Sequence, residues 1–373
     1  MPGSTLPDGC MRERARMRRE SLGRRAFAPD PGGQPVELVS VRRWAVSESE
    51  QVVEPDDGTR DPPRRVGTAQ IAELTAFTAD LRVLDHRHGG GRTRDAAVAR
   101  LPAALRLLSL PVAERLDGPL HTAVADLHNL AGWASFDVGL VASALQHFET
   151  ALHLAATAGN AALTANVYYR IGRLWLHHNE PVRALAEFRL GELAARASGS
   201  RTAVALVRAN QAWARARLGV DDDIALVMST VREDHAGGGE PVPDWLAFFT
   251  SADLAALTGV VYTELAQRVD PRYAGTAVPV LDSALDGYEL EMTRSRAFTL
   301  ISLAVCHFVD DQIAPGVVVG RRALALCGEL ASARPVERLV PLRNEAERRR
   351  SHPGAQELAH RIRAFRPAVA GGR

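Results

Sequence analysis

The chain has 373 residues, 46% of them hydrophobic, and its 45 basic and 44 acidic side chains leave a formal net charge of +1. That balance argues against a protein that holds nucleic acid by bulk electrostatics, and no apolar run approaches the roughly 18 residues of a membrane span. Every basic residue other than histidine is arginine, which with the abundant alanine suggests a high-GC, actinobacterial genome and nothing about mechanism.

Residues 1–66 are rich in Arg, Pro, Gly and Asp and lack apolar periodicity, so they are expected to form a disordered tail, with at most a short helix near 11–25. Arg12, Arg14, Arg16, Arg18 and Arg19 read as a solvated cluster, because no folded reader element accompanies them. No apolar stretch follows Arg24-Arg25, so the segment is no secretory signal and a cytoplasmic location is expected. Ordered structure is expected over 67–365. Its cap, 67–110, opens with Ile71, Leu74, Phe77, Leu81 and Leu84 at helical spacing behind Thr68 as N-cap. Gly89, Gly90 and Gly91 stop that helix, and a second runs from about Thr93 to Leu110 with a kink at Pro102.

Between about 118 and 330 a period of 40 residues appears. Gly132, Ala144 and Phe148 are followed by Gly172, Ala184 and Phe188, then by a degraded copy, Ala212, Ile224 and Met228. A fixed period of this size predicts stacked helix pairs. The small residue marks a close crossing, and the aromatic one turn beyond the alanine packs into it. Gly139, Asn179 and Gly219 stand at the turns, where a left-handed backbone is needed. Asp221-Asp222-Asp223 is expected to cap the helix from Ile224. A fourth pair is placed at 244–288 and a fifth at 295–330, with Cys306 and Cys327 as small buried residues on its two helices. A charged helix pair at 335–365 closes the array, and 366–373 forms a second disordered tail. The fold class is therefore an all-α, right-handed α-solenoid of antiparallel helix pairs.

Gly132, Ala144, Phe148 and Ala151, then Gly172, Ala184, Phe188 and Gly191, resemble the tetratricopeptide (TPR) pattern, with longer helices and without the usual proline at the repeat end. The stretch Leu81-Arg82-Val83-Leu84-Asp85 with Gly89-Gly90-Gly91, followed by repeats, is similar to the C-terminal half of actinobacterial regulators that begin with an XRE-type helix-turn-helix. That resemblance implies a sensing or dimerising domain in transcriptional control. Residues 1–66 lack the tightly spaced apolar helices of a helix-turn-helix, so DNA binding is expected only if such a domain exists outside this chain.

On the TPR frame the concave face receives Asp126, Asn129, Trp133 and Asp137 from the first repeat. The second contributes Asn166, Tyr169, Arg173 and His177, and the third Trp213 and Arg217. Such a band suits a peptide, a partner protein or a small signal molecule: amides clamp backbone, aromatics give area, and arginine meets carboxylates bidentately. Alternatively, Trp133 and Trp213 pack between repeats, the polar residues are merely solvated, and the chain is a ligand-free scaffold or a homodimerising module. Trp175 reads as core. His177 and His178 are expected to point to different faces, and His147 and His153 to lie on the surface. Asp85 reads as a cap rather than a metal ligand beside His86 and His88. No nucleophile elbow, phosphate loop or HExxH is present, so no catalysis, no metal and no cofactor are expected.

Overall fold

The computed structural model describes residues 65–237, 239 and 242–367. Local chemistry sets the helix boundaries. Asn160 and Ser200, one repeat apart, accept hydrogen bonds from the amides of Leu163 and Ala203 and so cap α5 (Ala161–His177) and α7 (Arg201–Arg217). Gly139, Asn179 and Gly219 all have positive φ, at 88°, 55° and 74°, as the turn positions require. Gly159 and Gly199, also 40 residues apart, do the same where the second helices end, a recurrence that the sequence carries as plainly.

Five antiparallel pairs follow from these punctuations: α3 (Glu114–Asp137) with α4 (Val141–Thr157), α5 with α6 (Pro181–Ala197), and α7 with α8 (Ile224–Ala236). Then come α9 (Ser251–Arg268) with α10 (Tyr273–Gly287), and α11 (Thr293–Val309) with α12 (Ile313–Gly328). Within the first pair a Cβ on Gly132 would lie 2.8 Å from the Phe148 ring, and Gly172 meets Phe188 in the same way. Phe148 and Phe188 are wholly buried, each contributing about 1.5–3 kcal/mol of transfer free energy. The fifth pair reverses the arrangement, with Phe308 on its first helix packed against Gly316 on its second. Cys306 and Cys327 are buried on those two helices, as expected.

First helices of neighbouring pairs also touch one another, from α3 through α11, so they line the inside of the curve while the second helices face outward. The arrangement is an α-solenoid, all-α and built of antiparallel helix pairs. The one β-type contact among the described residues is an isolated bridge between Val66 and Val112.

Several local expectations are corrected. The N-cap of α1 (Thr68–His88) is Gly67, held by the Gln70 side chain, and Thr68 is already helical. The second helix, α2 (Gly90–Leu107), starts at Gly90 rather than Thr93, because Asp137 accepts from the Gly90 amide at 2.7 Å and acts as its distant cap. Asp223 precedes α8 in a left-handed conformation with no side-chain cap; Asp221 instead accepts from Tyr273 Oη. The fourth pair begins at Ser251, behind a Thr250–Asp253 capping box, not at Asp244. Three helices rather than two close the array: α13 (Arg334–Arg338), α14 (Val340–Arg348) and α15 (Pro353–Ala364). The expected tails fall outside the described residues, except for 65–66 and 366–367.

Candidate functional site

The inner curve is a channel shared by elements far apart in sequence. The turn at 242–250 enters it: Trp245 offers its carbonyl to Asn166 at 3.1 Å, and Phe248 stacks on Tyr169 with ring centroids 5.8 Å apart. From the C-terminal side α13 crosses between α5 and α11. Its Arg334 lies over the rings of Trp133 and Phe136, and Arg338 lies over Trp213 and Phe298. Two cavities result. One of about 890 Å³ is bounded by Arg82, Trp133, Tyr169, Arg170, Arg173 and Phe248 together with Arg294, Phe298 and Arg334. Another of about 610 Å³ is bounded by Arg173, His177, Trp213, Phe298, Arg334 and Arg338. Arg173, Phe298 and Arg334 belong to both, so they form the septum between the two chambers.

The ten residues expected on the concave face divide into two groups, Arg217 joining the first and the buried Asp137 the second. Trp133, Tyr169, Arg173, His177 and Trp213 reach one or both chambers. Asp126, Asn129 and Asn166 are buried and line neither, and each is engaged by other parts of the chain. Asp126 takes Arg82 Nη2 at 2.6 Å, and Asn129 donates to Asn166 at 3.0 Å, which bridges the first two repeats. The sequence band is thus split between a structural ladder and a chamber wall. His177 and His178 both reach the smaller chamber, with Phe136 edge-on to each ring, so they do not part to different faces. His147 is half-buried with Nδ1 3.2 Å from His128 Nδ1, whereas His153 is exposed. Trp175 is half-buried under Arg183.

Electrostatics concentrate on Asp137. Its carboxylate is fully buried and holds Arg334 at 2.5 Å and Arg294 at 3.3 Å. Against the burial penalty, these guanidinium groups and the Gly90 amide hold its pKa below the usual carboxylate range. Asp85 pairs with Arg294 at 3.5 Å and accepts from Thr93, which joins capping to packing. On the other side of the septum Glu337 meets His177 at 2.9 Å, yet burial still pulls the His177 imidazole below its ordinary value. Burial, then repulsion from Arg173, lowers Arg338 to about 9.

Residues that sequence reasoning passed over make up much of the wall. Arg82, on the larger chamber, belongs to the Leu81–Asp85 stretch that carries the family resemblance. Arg170 sits one position beyond Tyr169, off the concave register, but its long side chain reaches the Asn129 carbonyl at 2.7 Å. Arg294, Arg334 and Arg338 enter only because the array curls back, and no local pattern marks them. Among the described residues no group of His, Cys, Asp or Glu is arranged to hold a metal ion, and no helix is long and apolar enough to cross a membrane. No protein-family profile and no curated protein matches the chain.

Proposed function

We propose that this chain is a regulatory TPR-like domain whose inner channel receives a small signal molecule or a short peptide, in the cytoplasm and in the service of transcriptional control. The observation that carries the reading is the pair of chambers joined at Arg173, Phe298 and Arg334. Their volumes, about 890 and 610 Å³, fall in the range of small-molecule sites, roughly 300–1,000 Å³. Tryptophan, tyrosine and phenylalanine stand on the walls among many charged side chains, which suits a ligand that is itself polar or charged. The turn at 242–250 and α13 already occupy much of the inner curve, which favours a compact ligand over a long partner helix. The transcriptional assignment rests on the resemblance to XRE-type regulators.

The α13 helix supplies a means of signalling. It spans from the second repeat to the fifth, so a ligand that changes its seat shifts both ends of the array together. A test is native mass spectrometry of the gently purified chain after exposure to a low-molecular-mass cell extract. Arg173→Glu should abolish a retained mass, while Arg189→Glu on the exposed outer face of α6 should keep it. A chain that retains nothing, or retains it equally in both variants, is the ligand-free scaffold instead.

A further inference from the structure

Five guanidinium groups border the larger chamber: Arg82 from α1, Arg170 and Arg173 from α5, Arg294 from α11 and Arg334 from α13. Burying an arginine costs several kcal/mol unless a carboxylate and further hydrogen bonds accompany it. Arg82, Arg170 and Arg334 are only 4%, 4% and 6% exposed. Three carboxylates hold these arginines, while a fourth on the wall, Asp253, accepts from the Thr250 and Tyr288 hydroxyls instead. Asp126 takes Arg82, Asp85 takes Arg294, and Asp137 takes both Arg294 and Arg334. Arg170 reaches the Asn129 carbonyl and the Trp133 ring, and Arg173 reaches the Tyr169 hydroxyl at 3.2 Å and the Tyr169 and Trp213 rings. Neither makes an ion pair among the described residues, and the five guanidinium groups outnumber the three carboxylates that hold them by two.

The hydrogen bonds tell the same story independently of the charges. Arg82 Nε and Nη1, Arg294 Nε and Arg334 Nη2 are buried and have no acceptor among the described residues. A buried donor left unmade is costly, more so when charged, and these four belong to three of the five arginines that border the chamber. Burial, followed by repulsion from Arg82, lowers Arg170 to about 10, which is the electrostatic cost of the same crowding.

We propose that this chamber is an oxyanion site that takes the phosphate monoester end of a small molecule between Arg82, Arg170, Arg173, Arg294 and Arg334. The inference rests on the channel being a ligand site and names the chemical class of the ligand. A phosphate monoester brings about −1.5 to −2 charge at neutral pH and three strong acceptor oxygens, matching the two surplus charges and the forked donors of arginine. A carboxylate brings one charge and two oxygens and satisfies the cluster only in part. Asp244, Glu289 and Glu291 stand exposed at the mouth of the same chamber, and none pairs with the five arginines. An acidic mouth over a basic floor disfavours nucleic acid, whose further phosphates would lie against the carboxylates, and admits a small molecule with a single anionic end.

The experiment is calorimetric titration of the full chain with inorganic phosphate at constant ionic strength, with acetate as the monoanion control. One saturable site for phosphate, with acetate binding at least about tenfold more weakly, is expected. Arg173→Gln leaves no carboxylate unpaired and so should fold, verified by its thermal melt; it should weaken phosphate by about tenfold or more. Arg82→Lys keeps the charge but removes the fork and should also weaken it. Absence of saturable binding to the wild type overturns the proposal. So does binding that both variants leave unchanged, since phosphate would then sit elsewhere as an adventitious ion only. If a mass retained from extract is lost in Arg173→Glu yet phosphate neither binds nor competes, the channel receptor stands and the oxyanion site falls.

Discussion

Asp137 and Arg334 are 197 residues apart and meet through a 2.5 Å contact between carboxylate and guanidinium Nε, the first fully and the second almost fully buried. The backbone repeats the connection: the Asp137 carbonyl accepts from the Ala333 amide at 2.8 Å. Asp137 ends the first helix of the first repeat, and Arg334 opens the helix that crosses the channel. An array of helix pairs normally couples only neighbours, with stability a sum of local terms. This clasp adds one long-range term, drawing the N-terminal cap, the first repeat and the C-terminal closure into a single cooperative unit.

Asp137→Ala should therefore be far more damaging than its single side chain suggests. It leaves Arg334 and Arg294 buried with one carboxylate, Asp85, between them, and it uncaps α2 at Gly90. Breaking one partner of a buried ion pair typically costs about 3–5 kcal/mol. Urea unfolding should show a loss of that size, together with a broadened or two-phase transition as the ends uncouple. A loss below about 1 kcal/mol would mean that the clasp does not hold the array together.

The glycine–phenylalanine crossings give a second quantity to measure. Gly172 packs directly under the Phe188 ring, with no room for a Cβ. Gly172→Ala should overpack the second repeat and cost about 1–3 kcal/mol. Shrinking the ring, in Gly172→Ala with Phe188→Leu, should recover part of that loss relative to the sum of the single changes. Strict additivity of the two would show that the contact carries no coupling.

These two examples mark how far the sequence could be read. The Gly132–Phe148 and Gly172–Phe188 contacts lie within one helix pair, and a period of 40 residues displays them twice. Gly139, Asn179 and Gly219 were legible for the same reason: the constraint is local and recurs. Asp137 was placed on the inner face by register alone, but its partners were invisible, because Arg294 and Arg334 are brought to it only by curvature summed over five pairs. The turn at 242–250 escaped for another reason. Its Pro243, Asp244 and Trp245 look like the start of a helix, while the capping box that opens α9 lies at Thr250 and Asp253. Tertiary contact with Asn166 and Tyr169, rather than helical propensity, fixes that turn.

Acid should destabilise the protein earlier than its carboxylates alone would dictate. His128 is buried, and burial, followed by the neighbouring His147, lowers it from 6.5 to about 4. The unfolded chain binds this proton near pH 6.5 and the folded chain only near pH 4, so stability falls as pH drops through that interval and levels off below it. The imidazole contributes a loss of about 3 kcal/mol across the window. His128→Gln should flatten the upper part of the curve, between pH 6.5 and about 5, where most carboxylates are still ionised. An unchanged slope there would place the acid sensitivity elsewhere.

Cys306 and Cys327 offer a probe of whether the two ends move together. Burial pushes both thiols up to about 12, so the folded protein holds them as unreactive thiols at neutral pH. Alkylation of either then requires the fifth pair to open, and its rate reports that opening. If the clasp couples the ends, Asp137→Ala on the first repeat should speed alkylation of both cysteines by about tenfold or more per 1.4 kcal/mol of lost local stability, with the overall fold still intact by circular dichroism. Gly172→Ala, inside the second repeat and away from the clasp, should change the rate far less. Equal acceleration by the two substitutions would indicate that the cysteines report global unfolding, and that Arg334 does not tie the fifth pair to the first.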